Sequence, residues 1–383
     1  MEYRTIRELC EVVADCPHST PMWTDSGKIV VRNQNIKNGR IDLSVPSYTD
    51  EHHFEQRIRR ARPIPGDIII TREAPIGDVG MIPERVECCL GQRMVLLRAN
   101  PEVCDKHYLL YSLQSRYVQH QISWSEGTGT TVSNLRIPHL EQLKIPYPPM
   151  KTQKAIASIL RSIEDKMEIN RKINDNLQQQ AATLFANYYT QADEEVCFTD
   201  IIQILGGGTP KTGESSYWNG SVPFFTPKDV GSPYTLSTEK TITEDGLAHC
   251  NSRLYPVNTV FVTARGTVGK VGMAGVPMAM NQSCYALVGR DVHQLLVYFY
   301  TLKGVDRLKH KASGAVFDAI TTRDFETESI FKLSDDASNA FFTVATPIYQ
   351  SILANTIENQ RLAMLRDTLL PSLISGEIKD FQR

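Results

Sequence analysis

No stretch of about 18 apolar residues occurs in this sequence, so nothing in it reads as a membrane-spanning helix. The opening MEYRTIRELCEV has neither the basic start nor the apolar stretch of a secretory signal. The eight cysteines include no CxxC pair and no metal-ligand spacing, and they read as reduced thiols of a cytoplasmic protein. The nine histidines are equally without ligand spacing. An excess of positive charge is also missing: 41 Lys and Arg stand against 43 Asp and Glu. A nucleic-acid binder of this composition has to segregate its charge onto one face, because phosphate contacts need local potential rather than a basic average.

Catalytic signatures are as scarce. No glycine-rich cofactor loop follows a first strand, and PYPP at 146–149 lacks the acidic or amide residue that adenine methylation needs. A P-loop requires GxxxxGK followed by Ser or Thr. At Gly269–Lys270 the earlier glycine is Ala264 and Val271 follows, while Gly208–Gly213 is followed by Glu214. No carboxylate pair with a following lysine suggests a nuclease. The chain is expected to recognise rather than to react.

What is present is a long heptad pattern. In the stretch from Pro146 to Tyr189, Ile156, Leu160, Ile163, Met167, Asn170, Asn174, Leu177, Ala181, Leu184 and Tyr188 recur at alternating spacings of four and three, the seam of a helix packed along a partner. With Thr152 as N-cap, a helix over 153–189 is about 55 Å long at 1.5 Å per residue. A second seam comprises Ile348, Ile352, Asn355, Asn359, Leu362, Arg366, Leu369 and Leu373. Thr346 and Pro347 are its expected start and Gly376 its stop. Two asparagines in each seam favour a register in which the amides meet.

The chain also repeats itself. IPGDIIITREAPIGDVGM at 64–81 returns, 192 positions later, as PVNTVFVTARGTVGKVGM at 256–273, pairing Thr71 with Thr263, Gly77 with Gly269 and Gly80 with Gly272. Gln92 answers Gln282, and the glycine loop 127–135 answers 312–320. Each copy reads as a short helix (Thr5 to Val13; Thr199 to Leu205), a polar loop, strands of short apolar runs, a helix (Lys106 to Gln121; Val292 to His310) and a final strand. The expected fold is mixed α/β: two similar recognition domains, 1–150 and 193–340, joined by two long antiparallel helices, 151–192 and 341–383. Two such domains suit a ligand with two separated half-sites, and DNA is the obvious one.

Candidate contacts follow from side-chain chemistry: Arg72, Gln92, Thr128, Thr130 and Asn134 in the first copy; Lys211, Thr212, Arg265, Gln282 and Ser313 in the second. The clusters Arg57, Arg59, Arg60, Arg62 and Lys303, Arg307, Lys309, His310, Lys311 are further candidates, weighed equally against solvated helix faces. Tyr217 and Trp218 are expected to plug their loop into the domain.

GGGTP…YWNGSVPFF, TARGTVGKVGM, PPMKTQKAIASILRSIEDKMEINRKI and LRDTLLPSLISGEI, in this order, resemble the specificity (S) subunits of type I DNA restriction–modification enzymes. The resemblance covers essentially the whole chain. It implies one half of a bipartite double-stranded DNA target read by each domain, helices that set the gap, and docking of two methyltransferase (M) subunits and of restriction/translocase (R) subunits. S-adenosylmethionine, ATP and magnesium would then belong to those partners. ADCPHSTPMW stands where the family has GGGTP, so the first domain's loop departs from the pattern. Two alternatives stay open: a coiled-coil adaptor for proteins, and a specificity subunit of a methylation-only or related phage-defence complex.

Overall fold

The computed structural model describes residues 2–37, 39–124, 134–231, 233–311 and 319–378. The chain divides into two compact units, 1–166 with 361–383, and 167–360. Each of the two long helices, Met150–Tyr189 and Asp335–Ser375, is shared between them.

In the first unit the main sheet has the order Cys10–Asp15, Met94–Ala99, Ile68–Thr71, Val79–Met81, Gly39–Ile41, Ile36–Lys37. A second sheet sets Lys28–Val31 between Ser47–Thr49 and Cys88–Leu90. The second unit repeats this plan with Ile202–Gly206, Cys284–Gly289, Val260–Thr263, Val271–Ala274 and Tyr234–Thr235. Its smaller sheet sets Trp218–Phe225 between Lys240–Ile242 and Ala279–Met280. IIIT and VFVT are buried along their whole length because both faces of these central strands are covered, hence their unbroken apolar runs.

Registers make the two sheets comparable residue by residue. Thr71 lies opposite Met94 and Asp15 opposite Val95; Thr263 lies opposite Cys284 and Gly206 opposite Tyr285. Asp15 and Gly206 are therefore matched positions.

Several elements differ from the expectation. The opening helices are single turns, Ile6–Leu9 and Phe198–Ile201, after which the chain becomes a sheet strand. Ladder pairing to the strand beside it outweighs helix propensity there. The helix expected over Lys106 to Gln121 is two, Lys106–Gln114 and Arg116–Trp124, parted at Ser115, whose hydroxyl donates to the Ser112 carbonyl and accepts from the Val118 amide. Thr152 is not an N-cap: the first long helix starts at Met150, and the Pro149 carbonyl accepts from the Thr152 and Gln153 amides. Gln153 is buried, bonding the Asp105 amide and the Pro148 carbonyl.

The second long helix begins at Asp335, so Pro347 is interior and neither Thr346 nor Pro347 starts it. Phe341, Ala345, Tyr349 and Ile352 are buried on one stripe, and Phe341 packs edge-on to Phe299 at 5.3 Å, itself stacked on Phe185 at 4.8 Å. That burial, worth about 1.5–3 kcal/mol for each large side chain, outweighs the proline's lost hydrogen bond. Gly376, at φ +72°, ends the helix, and the Ile378 amide turns back to the Ser372 carbonyl.

Within the second unit the two helices run antiparallel along polar seam positions. Asn170 donates to Asn359 Oδ1 (3.0 Å) and Glu358 Oε2 (2.6 Å), Asn359 donates to the Met167 carbonyl (3.2 Å), and Asn355 donates to Asn174 Oδ1 (2.8 Å). Ile352 is buried and Leu177 half-buried. Further along, Phe185 and Tyr189 are the buried residues rather than the expected Leu184 and Tyr188, which are half-buried. A straight helix drifts about 20° per heptad from its seam. Within the first unit Ile156, Leu160 and Ile163 are buried, Leu373 and Ile374 share a core with Ile156 and Leu160, Glu164 faces Arg366 at 3.6 Å, and Leu362 and Leu369 are half-buried.

Candidate nucleic-acid interface

In both units the loops carrying the candidate residues converge on one end of the main sheet. The central strand ends in a tight loop pinned by its last threonine. Thr71 Oγ1 accepts from the Asp78 amide and the Thr71 carbonyl from Gly77; Thr263 makes the same two bonds to Lys270 and Gly269. Gly77 and Gly269 have φ of +82° and +72°, a conformation that side chains disfavour. A Cβ on Gly80 or Gly272 would lie 3.0–3.1 Å from a neighbouring carbonyl oxygen. The repeated T…G…VG signature is thus a turn with its packing, not a phosphate cradle.

Gln92 and Gln282 hold the next loop. Gln92 donates to the His18 carbonyl (2.5 Å) and to Thr20 Oγ1 (3.2 Å). In the second unit the Thr209 hydroxyl donates to Gln282 Oε1. Thr20-Pro21 and Thr209-Pro210 are therefore equivalent, and the first copy's divergent loop keeps the same anchor. Gly207 owes its identity to close packing, since a Cβ there would meet the Asn281 carbonyl at 2.1 Å.

The two strand-end arginines sit one residue apart in the repeat, Arg72 corresponding to Ala264 and Arg265 to Glu73. Arg72 Nη1 bonds both carboxylate oxygens of Asp15 (3.0 and 3.1 Å), Nε the Leu135 carbonyl (2.9 Å) and Nη2 Asn134 Oδ1 (3.2 Å). Asn134 donates in turn to Glu73 (2.6 Å). With its side chain 11% exposed, Arg72 is an internal tie. Arg265 is exposed and has no side-chain partner among the described residues, and it stands where the first unit has Glu73. Lys211 and Thr212 are exposed as well, on a loop whose Lys211 carbonyl accepts from Trp218 Nε1 at 3.2 Å. Thr128, Thr130 and Ser313 lie outside the described residues. The Leu135 amide donates to the Arg72 carbonyl, and the Ile320 amide to that of Ala264.

Comparison with known proteins agrees with this duplicated plan. The family described as "Type I restriction modification DNA specificity domain" matches residues 1–179 and again 193–331. The chain belongs to that family. It is 22% identical to the type I restriction enzyme MjaIX specificity subunit of Methanocaldococcus jannaschii, covering 82% of this chain and 78% of that one. It is also 22% identical to the HindI specificity subunit of Haemophilus influenzae, over 66% and 73%. The crystal structure of a type I restriction–modification S subunit from M. genitalium superposes with a TM-score of 0.59 at 18% identity, over 97% and 96% of the chains, a likeness of fold.

In this member of the specificity family several residues of the basic clusters are tied to other parts of their own unit, though most are exposed. Arg57 is buried and donates to the carbonyls of Leu90, Ser19 and Pro17. Arg60 reaches the Asp15 carbonyl and Arg62 pairs with Glu87. Arg307 donates to the Ser329 carbonyl, Lys311 pairs with buried Glu328, and Lys303 lies over the Tyr189 ring. Tyr217 stacks on His249 at 5.1 Å and Trp218 meets Phe224 edge-on at 5.6 Å, so both anchor their loop. Missed by sequence reasoning were Asp15, 57 residues from its arginine, and the exposed pair Met22–Trp23 beside the Thr20 anchor. Among the described residues no cluster of His, Cys, Asp or Glu is arranged to hold a metal, and no helix is long and apolar enough to cross a membrane.

Proposed function

We propose that this chain is the DNA-recognition subunit of a type I restriction–modification assembly, each unit reading one half of a bipartite duplex target. The observation that carries the reading is the duplicated sheet end, where Arg265, Lys211 and Thr212 stand exposed in a family named for DNA specificity. The shared asparagine seam supports helices that hold the gap between half-sites at one length, since slipping the register would leave amides unpaired. Exposed apolar side chains on the same helices, Ile169 and Ile173 on the first and Met364 and Leu365 on the second, support docking of methyltransferase subunits there. Adenine methylation, ATP-driven translocation and cleavage would reside in the M and R partners, together with S-adenosylmethionine, ATP and magnesium. This chain contributes recognition and no catalysis.

The test is a genome-wide map of methylated adenines in the source strain with the gene intact and deleted. Loss of one split motif, two short half-sites with a fixed gap, is the expected outcome. An unchanged map in a strain whose methyltransferase partner is expressed and active counts against the proposal.

A further inference from the structure

We propose that the two units grip DNA by different chemistry: the second through the cations Arg265 and Lys211, the first through an exposed apolar pair, Met22 and Trp23. The inference rests on the DNA-recognition reading above and concerns how each half-site is held. Two matched pairs of positions carry it.

At the strand end the first unit has Glu73, which pairs with Arg93 at 3.1 Å and accepts from Asn134, where the second unit has the exposed Arg265; Arg72, one residue earlier, is tied to Asp15, the Leu135 carbonyl and Asn134. In the following loop, Thr20 and Thr209 are held by equivalent glutamines. Two residues beyond them come Met22–Trp23 in one unit and Lys211–Thr212 in the other. Met22 is 59% and Trp23 45% exposed. They are held in place from below: Thr49 Oγ1 donates to the Met22 carbonyl at 2.7 Å, and the Arg32 guanidinium lies 5.0 Å from the indole centre. An exposed indole and thioether on an anchored loop beside the recognition end suit thymine methyl groups and the faces or edges of base pairs. Cations suit phosphates. The physical difference between the two is salt dependence: each lost phosphate contact lowers the slope of log K against log salt by about 0.9, and an apolar contact leaves it unchanged.

The experiment uses the full chain and a duplex that the wild-type protein enriches from a random-sequence pool, with affinity read by fluorescence anisotropy over a salt series. Arg265→Ala is expected to lower the slope by about 0.9. Arg265→Glu, which installs the first unit's Glu73 at the matched position, is expected to lower the slope at least as far with an unchanged thermal midpoint. Trp23→Ala is expected to weaken binding roughly fivefold at every salt concentration without moving the slope. A slope unmoved by both Arg265→Ala and Arg265→Glu overturns the inference, as does an affinity indifferent to Trp23→Ala. Failure of the wild-type chain to enrich any duplex is a different result and overturns the DNA-recognition reading itself.

Discussion

Asn355 on the second long helix donates to the side-chain oxygen of Asn174 on the first at 2.8 Å, while Asn174 turns its own amide towards the Ile352 carbonyl and Thr356. One step along, Asn170 and Asn359 meet at 3.0 Å. The two helices are thus registered by amides that find partners on the opposite helix.

A double-mutant cycle reads that coupling. Asn174→Leu alone strands the Asn355 amide in a half-buried seam and is expected to cost about 1–2 kcal/mol of stability. Adding Asn355→Leu replaces the pair by apolar side chains and should recover most of that loss. Urea unfolding of the four proteins gives the numbers. A double variant no more stable than the weaker single variant would mean that the amides do not pair in solution.

Arg72 gives a second prediction, in the fold rather than in binding. Arg72→Ala removes four hydrogen bonds and leaves Asp15 with only His18 at 3.0 Å and Arg60 at 4.0 Å. A destabilisation of about 2 kcal/mol is expected, reduced from the fully buried case because Asp15 is partly solvated. Arg265→Ala, one residue beyond the position matched to Arg72 and without a side-chain partner among the described residues, should leave thermal unfolding within about 0.5 kcal/mol of wild type. Equal destabilisation by the two would contradict the asymmetry.

Much of this architecture is legible in the chain because it is written in periodicity and repetition. The asparagines stand at seam positions, and IIIT and VFVT stand at matching places in two copies, so both helices and both central strands follow from the sequence pattern alone. The ties at the sheet end do not. Asp15 and Arg72, Gln92 and Thr20, and Gln282 and Thr209 are joined across 57, 72 and 73 residues by a register that no local pattern encodes. Nor is the start of the second long helix visible, since DDASNAFFTVAT is polar for half its length and Pro347 imitates a helix start. Its aromatic partners, Phe185 and Phe299, come from elsewhere in the chain.

Thiol reactivity tests burial across both units. Burial pushes Cys89 up to about 11 and Cys10, Cys88 and Cys284 up to about 12, and raises Cys16 and Cys104 as well. A raised value keeps the sulfur protonated and unreactive at pH 8, where only thiolates attack. Cys197, which is exposed, and then Cys250, which is half-buried, should therefore react with a chromogenic disulfide reagent under native conditions. The other six should react only on unfolding. Rapid native labelling at any of those six would show that its surroundings open more readily than this packing allows.

Pro347 supplies the last prediction. It sits inside the Asp335–Ser375 helix, exposed to solvent, and its missing N–H deprives the Thr343 carbonyl of its helical partner. The neighbouring Ala345 and Tyr349 are buried, so the helix is held there by its packed face and not by its backbone alone. Replacing an exposed, interior proline by alanine restores the hydrogen bond without touching that face. Pro347→Ala is expected to raise stability by about 1–3 kcal/mol, partly offset because the freer alanine chain loses more entropy on folding. The check is the urea midpoint together with hydrogen exchange at the amides of 345–351, which should slow. Faster exchange there would mean that the proline matches a local bend on which Tyr349 and Phe341 depend for their packing.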